Sequence, residues 1–332
     1  MNRPVHRVGK GRRIQLLTGR IHPQLAHEIA GRLKLEVADI ELSDFANGEI
    51  RIRAKESLRG NDVFIIQAHS GQVNKSIIEQ LMLIDAAKRA SARSITAVCP
   101  FLGYARQDRK AGGREPIAAR LMVDMLTVAG ADRIMSVDLH SGQTQGFFDG
   151  PFDHLIAMPL FKNYIRENLD LKQLVMIAPD AGRVKMAQRY STSLGCDLAL
   201  IHKHRSTTVA NKSEARFLIG DVKDKICVVV DDMIDTAGTI CTAADLLLQQ
   251  GAVEVYAMAT HGVFSGPALD RLQKSAFKKI VVTNTLPTAE EAGKAKGSKI
   301  ETLSIAPLIA DAIGAIFADE SLSALFEGDN QV

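Results

Sequence analysis

The sequence predicts an α/β protein whose sheets are mainly parallel and flanked by helices. Short runs of β-branched and other apolar residues alternate with amphipathic stretches along nearly the whole chain, which is typical of parallel strands joined by helices. The length of 332 residues suggests about two domains, and the contents of 46% hydrophobic and 24% charged residues are ordinary for this class. No apolar run approaches the roughly 20 residues that a helix needs to cross a bilayer.

The predicted strands are separated by helical patterns. One helix is predicted over Lys75–Ala92, whose apolar residues fall on one face. Another is predicted over Glu115–Val128, where Pro116 stands near the start and its missing N–H costs nothing. The strand candidates, in chain order, are Ile14–Leu17, Val63–Ala68, Ile95–Pro100, Ile134–Leu139, Leu174–Ala178, Leu198–Ile201, Ile226–Val230, Val255–Thr260, Ile280–Thr283 and Thr302–Ile305.

The domain boundary is predicted near residues 149–159, after the segment FFDGPFDH. It leaves a basic tail at residues 1–12, an N-terminal α/β domain at 13–155 and a C-terminal α/β domain at 156–328. No apolar segment follows the basic tail, so it is not a secretory signal, and we expect it to be disordered. The rhythm of the elements favours two similar halves, although no strict repeat relates them.

Cysteine usage and charge limit the class of protein further. The four cysteines are widely spaced and form no Cys-x-x-Cys pair, which favours reduced residues in a cytoplasmic protein; they are Cys99, Cys196, Cys227 and Cys241. The formal net charge of +3 is too small to indicate binding to nucleic acid. Clustered cations are better explained by the phosphates of small substrates.

The most informative segment is Ile226–Thr239, with the sequence ICVVVDDMIDTAGT. Five apolar residues predict a buried strand that ends in Asp231 and Asp232, and a Thr- and Gly-containing loop then leads into a helical pattern at Ile240–Gln250. The N–H groups and the dipole at a helix N-terminus favour a phosphate in such a loop. Because carboxylates repel phosphate, the acidic pair must serve sugar hydroxyls or a bridging divalent cation. The segment therefore predicts a phosphorylated sugar as ligand.

The acidic pair has a second interpretation, since two Asp residues at a strand end are often merely solvated. The whole segment is more specific than the pair. It lacks the Gly-x-x-x-x-Gly-Lys pattern of a P-loop and the Gly-x-Gly-x-x-Gly pattern of a dinucleotide fold. It resembles the phosphoribosyl-pyrophosphate signature of type I phosphoribosyltransferases and of ribose-phosphate pyrophosphokinases.

Four other strand ends carry polar residues, and ligands of open α/β sheets bind at such ends. Arg106 lies in GYARQDRK, whose three cations within five residues suit a phosphate. His140 and Asp180 each follow a predicted strand, and either would suit a metal ion. The segment HKHRSTTVANK, which begins at His202, predicts a mobile loop. Each segment also fits an ordinary solvated turn, but together they place cations, carboxylates and a phosphate loop at successive strand ends.

Over residues 13–328 the chain resembles the class I ribose-phosphate pyrophosphokinases, also called phosphoribosyl pyrophosphate synthetases. The segments that carry the resemblance, besides the signature at 231–239, are FANGE at 45–49, GYARQDRK at 103–110, DLHSGQTQGFFD at 138–149, PDAGR at 179–183 and KHR at 203–205. The resemblance implies two similar domains of the type I phosphoribosyltransferase-like fold, each with a mainly parallel sheet flanked by helices.

The resemblance also implies a role for individual residues. The ATP-binding residues would be Phe45, Asn47, Gly48, Glu49, Arg106 and Gln107. The ribose-5-phosphate-binding residues would be Arg205, Asp231, Asp232, Asp235, Thr236, Ala237, Gly238 and Thr239. The metal, expected to be Mg²⁺, would be held by His140 and Asp180, although Mg²⁺ prefers oxygen over the nitrogen of a histidine. Lys203 and Arg205 would be the catalytic residues of a flexible loop.

The implied reaction transfers the β,γ-diphosphoryl group of ATP to the C1 hydroxyl of ribose 5-phosphate, giving phosphoribosyl pyrophosphate and AMP for nucleotide, histidine and tryptophan biosynthesis. Lys203 and Arg205 would neutralise charge on the transferred group. Two positions depart from the family pattern: Arg183 replaces a frequent second Gly, and His204 replaces a frequent Arg. Neither departure removes a residue to which the resemblance gives a catalytic role.

Two alternatives belong to other functional classes. A phosphoribosyltransferase would share the signature loop but would not need FANGE or the first α/β half. A non-catalytic regulatory subunit should lack the flexible-loop or metal positions, which are present here. The resemblance further implies a homo-oligomer, a hexamer in this family, with phosphate and ADP as regulators near Ser141–Phe148. We expect no nucleic acid partner and no membrane partner.

Overall fold

The computed structural model describes residues 12–204 and 215–326, with the side chains at 203, 204, 215 and 216 left undescribed. These residues form two compact units. The first comprises the described residues up to Ile156, residues 285–287 and those from Ser304 onward, and the second comprises residues 157–284 and 288–303. None of the helices in this part of the chain combines the length and hydropathy that a membrane crossing requires.

The first unit contains a five-stranded parallel sheet. Its elements in chain order are β1 (Ile14–Thr18), α1 (Pro23–Leu33), β2 (Ile40–Asp44), β3 (Ile50–Ala54), β4 (Asp62–Ile66), α2 (Val73–Arg89), β5 (Ser94–Cys99), α3 (Ala118–Ala129), β6 (Arg133–Val137) and β7 (Phe152–Leu155). The strand order is β1-β4-β5-β6-β7, and β2 pairs with β3 in a separate antiparallel hairpin. The core joins buried strand residues such as Val63 and Ile95 to Ile84 of α2 and Leu126 of α3.

The second unit contains a seven-stranded sheet. Its elements are α4 (Met158–Asn168), β8 (Leu174–Ala178), α5 (Val184–Leu194), β9 (Asp197–His204), β10 (Ala215–Ile219), β11 (Ile226–Ile234), α6 (Gly238–Gln249), β12 (Glu254–Gly262), α7 (Ala268–Lys274), β13 (Lys279–Thr283), α8 (Pro287–Lys294) and β14 (Ile300–Leu303). The order is β10-β9-β8-β11-β12-β13-β14, and all pairs are parallel except β9 with β10. The α/β class and the two mainly parallel sheets predicted from the sequence are thereby confirmed.

The last helix, α9 (Ala306–Phe317), belongs to the first unit. It packs against α1, and the Ser304 hydroxyl donates to Glu28 of α1 at 2.6 Å. Arg12 lies over the ring of Phe317, 4.7 Å from its centroid, and also pairs with Asp62 of β4 at 2.6 Å. The C-terminal domain was predicted to continue to residue 328, whereas the structure places residues 304–326 with the first unit. Arg12, predicted as part of the tail, is anchored there too.

The predicted strands coincide with observed strands to within a few residues. The β2–β3 hairpin, β7 and β10 were not predicted, because they mix polar and apolar residues and lack the strongly apolar runs of the other strands. Helix α3 begins at Ala118, so Pro116 precedes the helix instead of lying in its first turn. The strand predicted to end at Val230 continues to Ile234, and that extension shapes the site described next.

Candidate active site

The acidic pair of the second unit lies on the extended part of β11, at the point where one neighbouring strand has ended. β11 pairs with β8 only as far as Val229, opposite Ile177, but it stays paired with β12 to Ile234. Asp231 and Asp232 therefore have one open side, which faces the turn that follows β8. This turn was predicted to carry Asp180, and it also carries Arg183.

Arg183 binds both carboxylates. Its Nε lies 2.6 Å from Oδ1 of Asp231, and its Nη2 donates to Oδ1 of Asp232 at 2.6 Å. Asp232 is almost fully buried, with a side-chain exposure of 1%, and the backbone N–H of Asp232 donates to Oδ1 of Asp231 at 2.9 Å. A buried carboxylate without a partner is costly, so Arg183 compensates the charge that the acidic pair brings into the sheet. The residue that departs from the family pattern thus contacts the signature directly.

One guanidinium faces two carboxylates in this cluster. Burial and the neighbouring charge of Asp232 raise the pKa of Asp231 above its usual range, and the charge of Arg183 opposes that rise. Protons are therefore taken up and released by the cluster as a unit. A cationic or hydroxyl-bearing ligand would meet a site whose negative charge is partly neutralised.

Asp180 lies in the same turn and is half-buried. Its Oδ1 accepts from the N–H of Gly182 at 3.0 Å, which fixes the start of a short 3₁₀ turn before α5. Among the residues that the structure describes, no group of three or more His, Cys, Asp or Glu side chains is arranged to hold a metal ion. Mg²⁺ usually takes one or two protein carboxylates and completes its shell with substrate phosphates and water. A single carboxylate such as Asp180 fits a metal ion that arrives with a phosphate substrate.

The predicted phosphate loop, residues 235–239, connects β11 to α6. Ala237 precedes the helix in a left-handed conformation, with φ 61°. Its methyl side chain cannot accept a hydrogen bond from the first turn of the helix, so this residue does not cap it. The first turn of an α-helix leaves N–H groups without intrahelical partners, and they favour an anion. Arg271 of α7 donates to the carbonyl of Thr236 at 2.9 Å and so holds the loop from the other side. The loop has the geometry expected of a phosphate-binding segment.

In the first unit, the FANGE segment forms the turn of the β2–β3 hairpin. The N–H of Phe45 donates to the carbonyl of Glu49 at 2.8 Å, and Gly48 closes the turn with φ 89°. The N–H of Glu49 donates to Oδ1 of Asn47 at 3.2 Å. The Phe45 side chain is 51% exposed. An exposed ring on a hairpin tip suits stacking on a planar ligand.

Asp44, just before Phe45, anchors this hairpin. Its carboxylate accepts from Nη2 of Arg20 at 2.9 Å and from Nζ of Lys75 at 2.6 Å. These cations lower the pKa of Asp44 to about 2. Arg20 also binds the buried carboxylate of Glu79 on α2 through Nε at 2.6 Å. The hairpin tip is therefore tied to α2 by charged side chains.

Arg106 and Gln107 lie on the loop that follows β5, and both side chains are exposed. The hydroxyl of Tyr104 donates to Oδ1 of Asn74, which stands beside Lys75 in the first turn of α2. The start of α2 thus contacts Tyr104 of the GYARQDRK segment and, through Lys75, Asp44 immediately before the FANGE segment. The structure brings these segments together on one helix end, a relation that their separation in sequence does not reveal.

His140 follows β6 on a turn with strained backbone, since Asp138 has φ 37°. The turn is held by β7: the N–H of Asp138 donates to the carbonyl of Leu155 at 2.9 Å, and the N–H of Leu139 donates to Nε2 of His154 at 2.8 Å. The predicted catalytic residues are described less fully. The backbone of Lys203 lies in β9, its side chain is not described, and Arg205 lies outside the described residues.

Sequence reasoning missed several residues that shape these sites. His154 and Arg271 contact the predicted segments directly. Around Asp44, which immediately precedes FANGE, the residues missed are Arg20, Lys75 and Glu79. They come from distant parts of the chain, and no local pattern marks them. Arg183 was visible in the sequence only as a departure from the family pattern.

Comparison with known proteins adds independent findings. Residues 14–130 match the model of the N-terminal domain of ribose phosphate pyrophosphokinase, and residues 207–327 match that of the phosphoribosyl synthetase-associated domain. A ribose-phosphate pyrophosphokinase from Streptomyces coelicolor is 53% identical over 316 residues, covering 95% of this chain and 97% of the relative. One from Mycobacterium tuberculosis is 48% identical over 317 residues, covering 95% and 96%.

A solved structure is similar as well. The crystal structure of phosphoribosylpyrophosphate synthetase from Mycobacterium smegmatis matches with a TM-score of 0.86 and 48% sequence identity. The match covers 92% of this chain and 99% of that chain. The likeness therefore extends over both units.

Proposed function

The chain belongs to the ribose-phosphate pyrophosphokinase family, and from this membership we propose how its residues divide the work of the reaction. The protein is a transferase that moves the β,γ-diphosphoryl group of ATP to the C1 hydroxyl of ribose 5-phosphate. The products are phosphoribosyl pyrophosphate and AMP. The observation that carries the division is the pairing of a phosphate-type loop at 235–239 with the carboxylates of Asp231 and Asp232 on the same strand-to-helix connection.

In the second unit, the loop from Asp235 to Thr239 would bind the 5-phosphate through backbone N–H groups and Thr hydroxyls. Asp231 and Asp232 would accept hydrogen bonds from the ribose hydroxyls. Arg183 supports this role because it binds both carboxylates and fixes them in a partly buried place. The sugar would then be oriented by groups that are already ordered before it binds.

In the first unit, the exposed ring of Phe45 would stack on adenine, and Asn47, Gly48 and Glu49 would contact the edge of the base. Arg106 and Gln107 would contact the nucleotide from the loop after β5. The supporting contacts are those of the start of α2: Lys75 binds Asp44, which immediately precedes Phe45, and Asn74 accepts from Tyr104, which lies in the same loop as Arg106.

The proposed cofactor is Mg²⁺, and we propose Asp180 and His140 each as a residue that would contact a magnesium ion. Asp180 supplies the oxygen that this ion prefers, whereas the nitrogen of His140 suits contact through a water molecule better. When bound with ATP, the ion would neutralise charge on the phosphates. Lys203 and Arg205 would add positive charge at the transferred group and exclude water from it.

We also propose that the enzyme works in the cytoplasm as a homohexamer regulated by phosphate and ADP, with Ser141–Phe148 at the regulatory site. Sizing by light scattering with and without inorganic phosphate tests this part. A monomer under both conditions would contradict it.

The activity is tested by mixing the protein with ATP, Mg²⁺ and ribose 5-phosphate and measuring the nucleotide released. AMP is the expected product, and ADP would indicate an ordinary kinase. We expect Lys203→Ala to lower kcat by about a hundredfold or more, because the variant lacks the side-chain cation that would neutralise charge on the transferred group. Lys274→Ala, an exposed change on α7, serves as the matched control. Near-normal turnover in Lys203→Ala would remove the catalytic role from Lys203.

A further inference from the structure

Behind the loop that carries Arg106 and Gln107 lies a group of polar side chains that the reaction does not use. His69, Gln80 and Cys99 are all fully buried, with exposures of 0%. Nε2 of His69 lies 2.8 Å from Oε1 of Gln80, and the thiol of Cys99 donates to the same oxygen at 3.3 Å. Buried polar groups of this kind are retained only when each finds a partner, so their connections are informative.

The partners determine the protonation state of His69. The Gln80 amide nitrogen faces the carbonyls of Ile65 and Val98, at 3.2 and 3.4 Å, and these can only accept. Oε1 of Gln80 must therefore accept from Nε2–H of His69. On the other side of the ring, the N–H of Gly103 donates to Nδ1 at 3.0 Å, so Nδ1 carries no proton. The ring is neutral, in agreement with burial, which lowers the pKa of His69 to about 4.

His69 holds the loop after β5 at two points. Its backbone N–H donates to the carbonyl of Phe101 at 3.1 Å, and its ring accepts from the N–H of Gly103. Gly103 fits tightly there: a Cβ at this position would lie 2.9 Å from Cβ of His69 and 3.4 Å from Cγ1 of Val73. The loop thus rests directly on the histidine, without room for a side chain in between.

Only a short turn separates Gly103 from the exposed residues. Leu102 and Ala105 are buried, and the N–H of Gln107 donates to the carbonyl of Tyr104 at 2.9 Å. The N–H of Ala119 then donates to the carbonyl of Gln107 at 3.1 Å, which ties the end of the turn to α3. A shift at Gly103 would therefore be passed on to Arg106 and Gln107.

We propose that His69 is a positioning residue for the nucleotide loop: as a neutral ring with a fixed tautomer, it accepts from Gly103 and thereby sets the place of Arg106 and Gln107. The proposal rests on the function proposed above for this loop. Positioning a loop before the nucleotide binds reduces the ordering that binding would otherwise require. His69 contacts no substrate in this role.

Two substitutions separate the two sides of the ring. His69→Gln places an amide N–H where Nε2 stands, keeps the bond to Gln80 and removes the acceptor for Gly103. His69→Asn places an amide oxygen where Nδ1 stands, keeps the acceptor for Gly103 and removes the donor to Gln80. We expect His69→Gln to raise KM for ATP about tenfold while KM for ribose 5-phosphate stays within about twofold. His69→Asn should stay within about threefold of the wild type for both constants.

Hydrogen exchange measured by mass spectrometry gives a readout that needs no substrate. Peptides covering residues 101–107 should exchange at least about tenfold faster in His69→Gln than in His69→Asn. Gly103→Ala approaches the same contact from the loop side, and it should raise KM for ATP and speed exchange in the same way. It keeps the proposal testable if a His69 variant fails to fold.

The outcomes are distinguishable. Equal effects of His69→Gln and His69→Asn, or an equal rise of both KM values, would overturn the positioning role. Faster exchange without a change in KM for ATP would also overturn it, provided that Arg106→Ala raises that constant. If Arg106→Ala leaves KM for ATP unchanged, the proposed function of the loop is what fails, and the exchange data still report on the contact between His69 and Gly103.

Discussion

Two loops at the carboxyl ends of parallel strands are held by opposite kinds of chemistry. The loop at 101–107 in the first unit rests on the neutral, fully buried ring of His69. In the second unit, the acidic pair that leads into the loop at 235–239 is held by the charged side chain of Arg183. The residues at a strand end can therefore be held in place either by a neutral histidine with a fixed tautomer or by an arginine that compensates buried carboxylates. The two solutions should respond differently to mutation and to pH.

The largest effect is expected from removing the charge compensation in the second unit. Arg183→Met leaves the buried carboxylate of Asp232 without a cation, and Asp231 and Asp232 then repel each other. We therefore expect the free energy of unfolding to fall by about 3–5 kcal/mol. Urea denaturation followed by circular dichroism measures it. Arg166→Met, an exposed change on α4, is the control and should stay within about 0.5 kcal/mol.

A second substitution sharpens this test. Adding Asp232→Asn to Arg183→Met removes the buried charge, so the double variant should recover a large part of the lost stability. If Arg183→Met alone is as stable as the control, charge compensation does not hold this site, and the contrast between the two loops fails.

The neutral solution of the first unit predicts sensitivity to acid. The pKa of His69 is about 4 in the folded protein against an ordinary value of 6.5, so the folded state binds fewer protons between these values. Stability should therefore fall as pH is lowered from 6.5 toward 4, by about 2 kcal/mol at pH 5 from this residue. The difference between wild type and His69→Asn, measured by urea denaturation, should shrink on acidification. A constant difference from neutral pH downward would contradict a neutral buried ring.

The acidic pair predicts the opposite sign. The pKa of Asp231 is raised above its ordinary value of 3.8, so the folded state holds a proton that the unfolded state has released. Stability contributed by this residue should fall as pH rises above that value. Ligand-free wild type should lose stability relative to Asp231→Asn between about pH 5 and about pH 8, and a gain over this range would refute the assignment.

The features of the fold and of the candidate site that can be predicted from the sequence are those that depend on residues close together in the chain. The βα rhythm predicts the parallel strands, and strand ends then predict Asp180, His140 and the acidic pair, since these are local properties. The place of α9 depends on its contact with α1, where Ser304 and Glu28 are 276 residues apart. The same holds for His69 under Gly103 and for Arg183 on Asp231, because each pair meets only after the sheet has formed. Local patterns carry no signal for such contacts.

The smallest effects concern the backbone of the two loops. Close packing requires Gly at position 103. The second loop has a left-handed residue with φ 61°, but this residue is Ala237 and not a glycine. In Ala237→Gly, relief of about 1 kcal/mol of left-handed strain is offset by a similar gain in unfolded-state entropy, so the free energy of unfolding should change by less than about 0.5 kcal/mol. KM for ribose 5-phosphate should stay within about twofold, since the loop keeps its shape.

Ala237→Val tests the same position in the other direction. A β-branched residue is strongly disfavoured in the left-handed region, and Ala237 is buried, so this variant should lose about 1–3 kcal/mol and bind ribose 5-phosphate less tightly. Thermal denaturation and the KM for each substrate measure the two effects. Ala237→Val could leave the stability unchanged while Gly103→Ala lowers it. In that case the second loop tolerates substitution better than the first, and its shape depends more on the charges of Arg183 and Arg271 than on its backbone conformation.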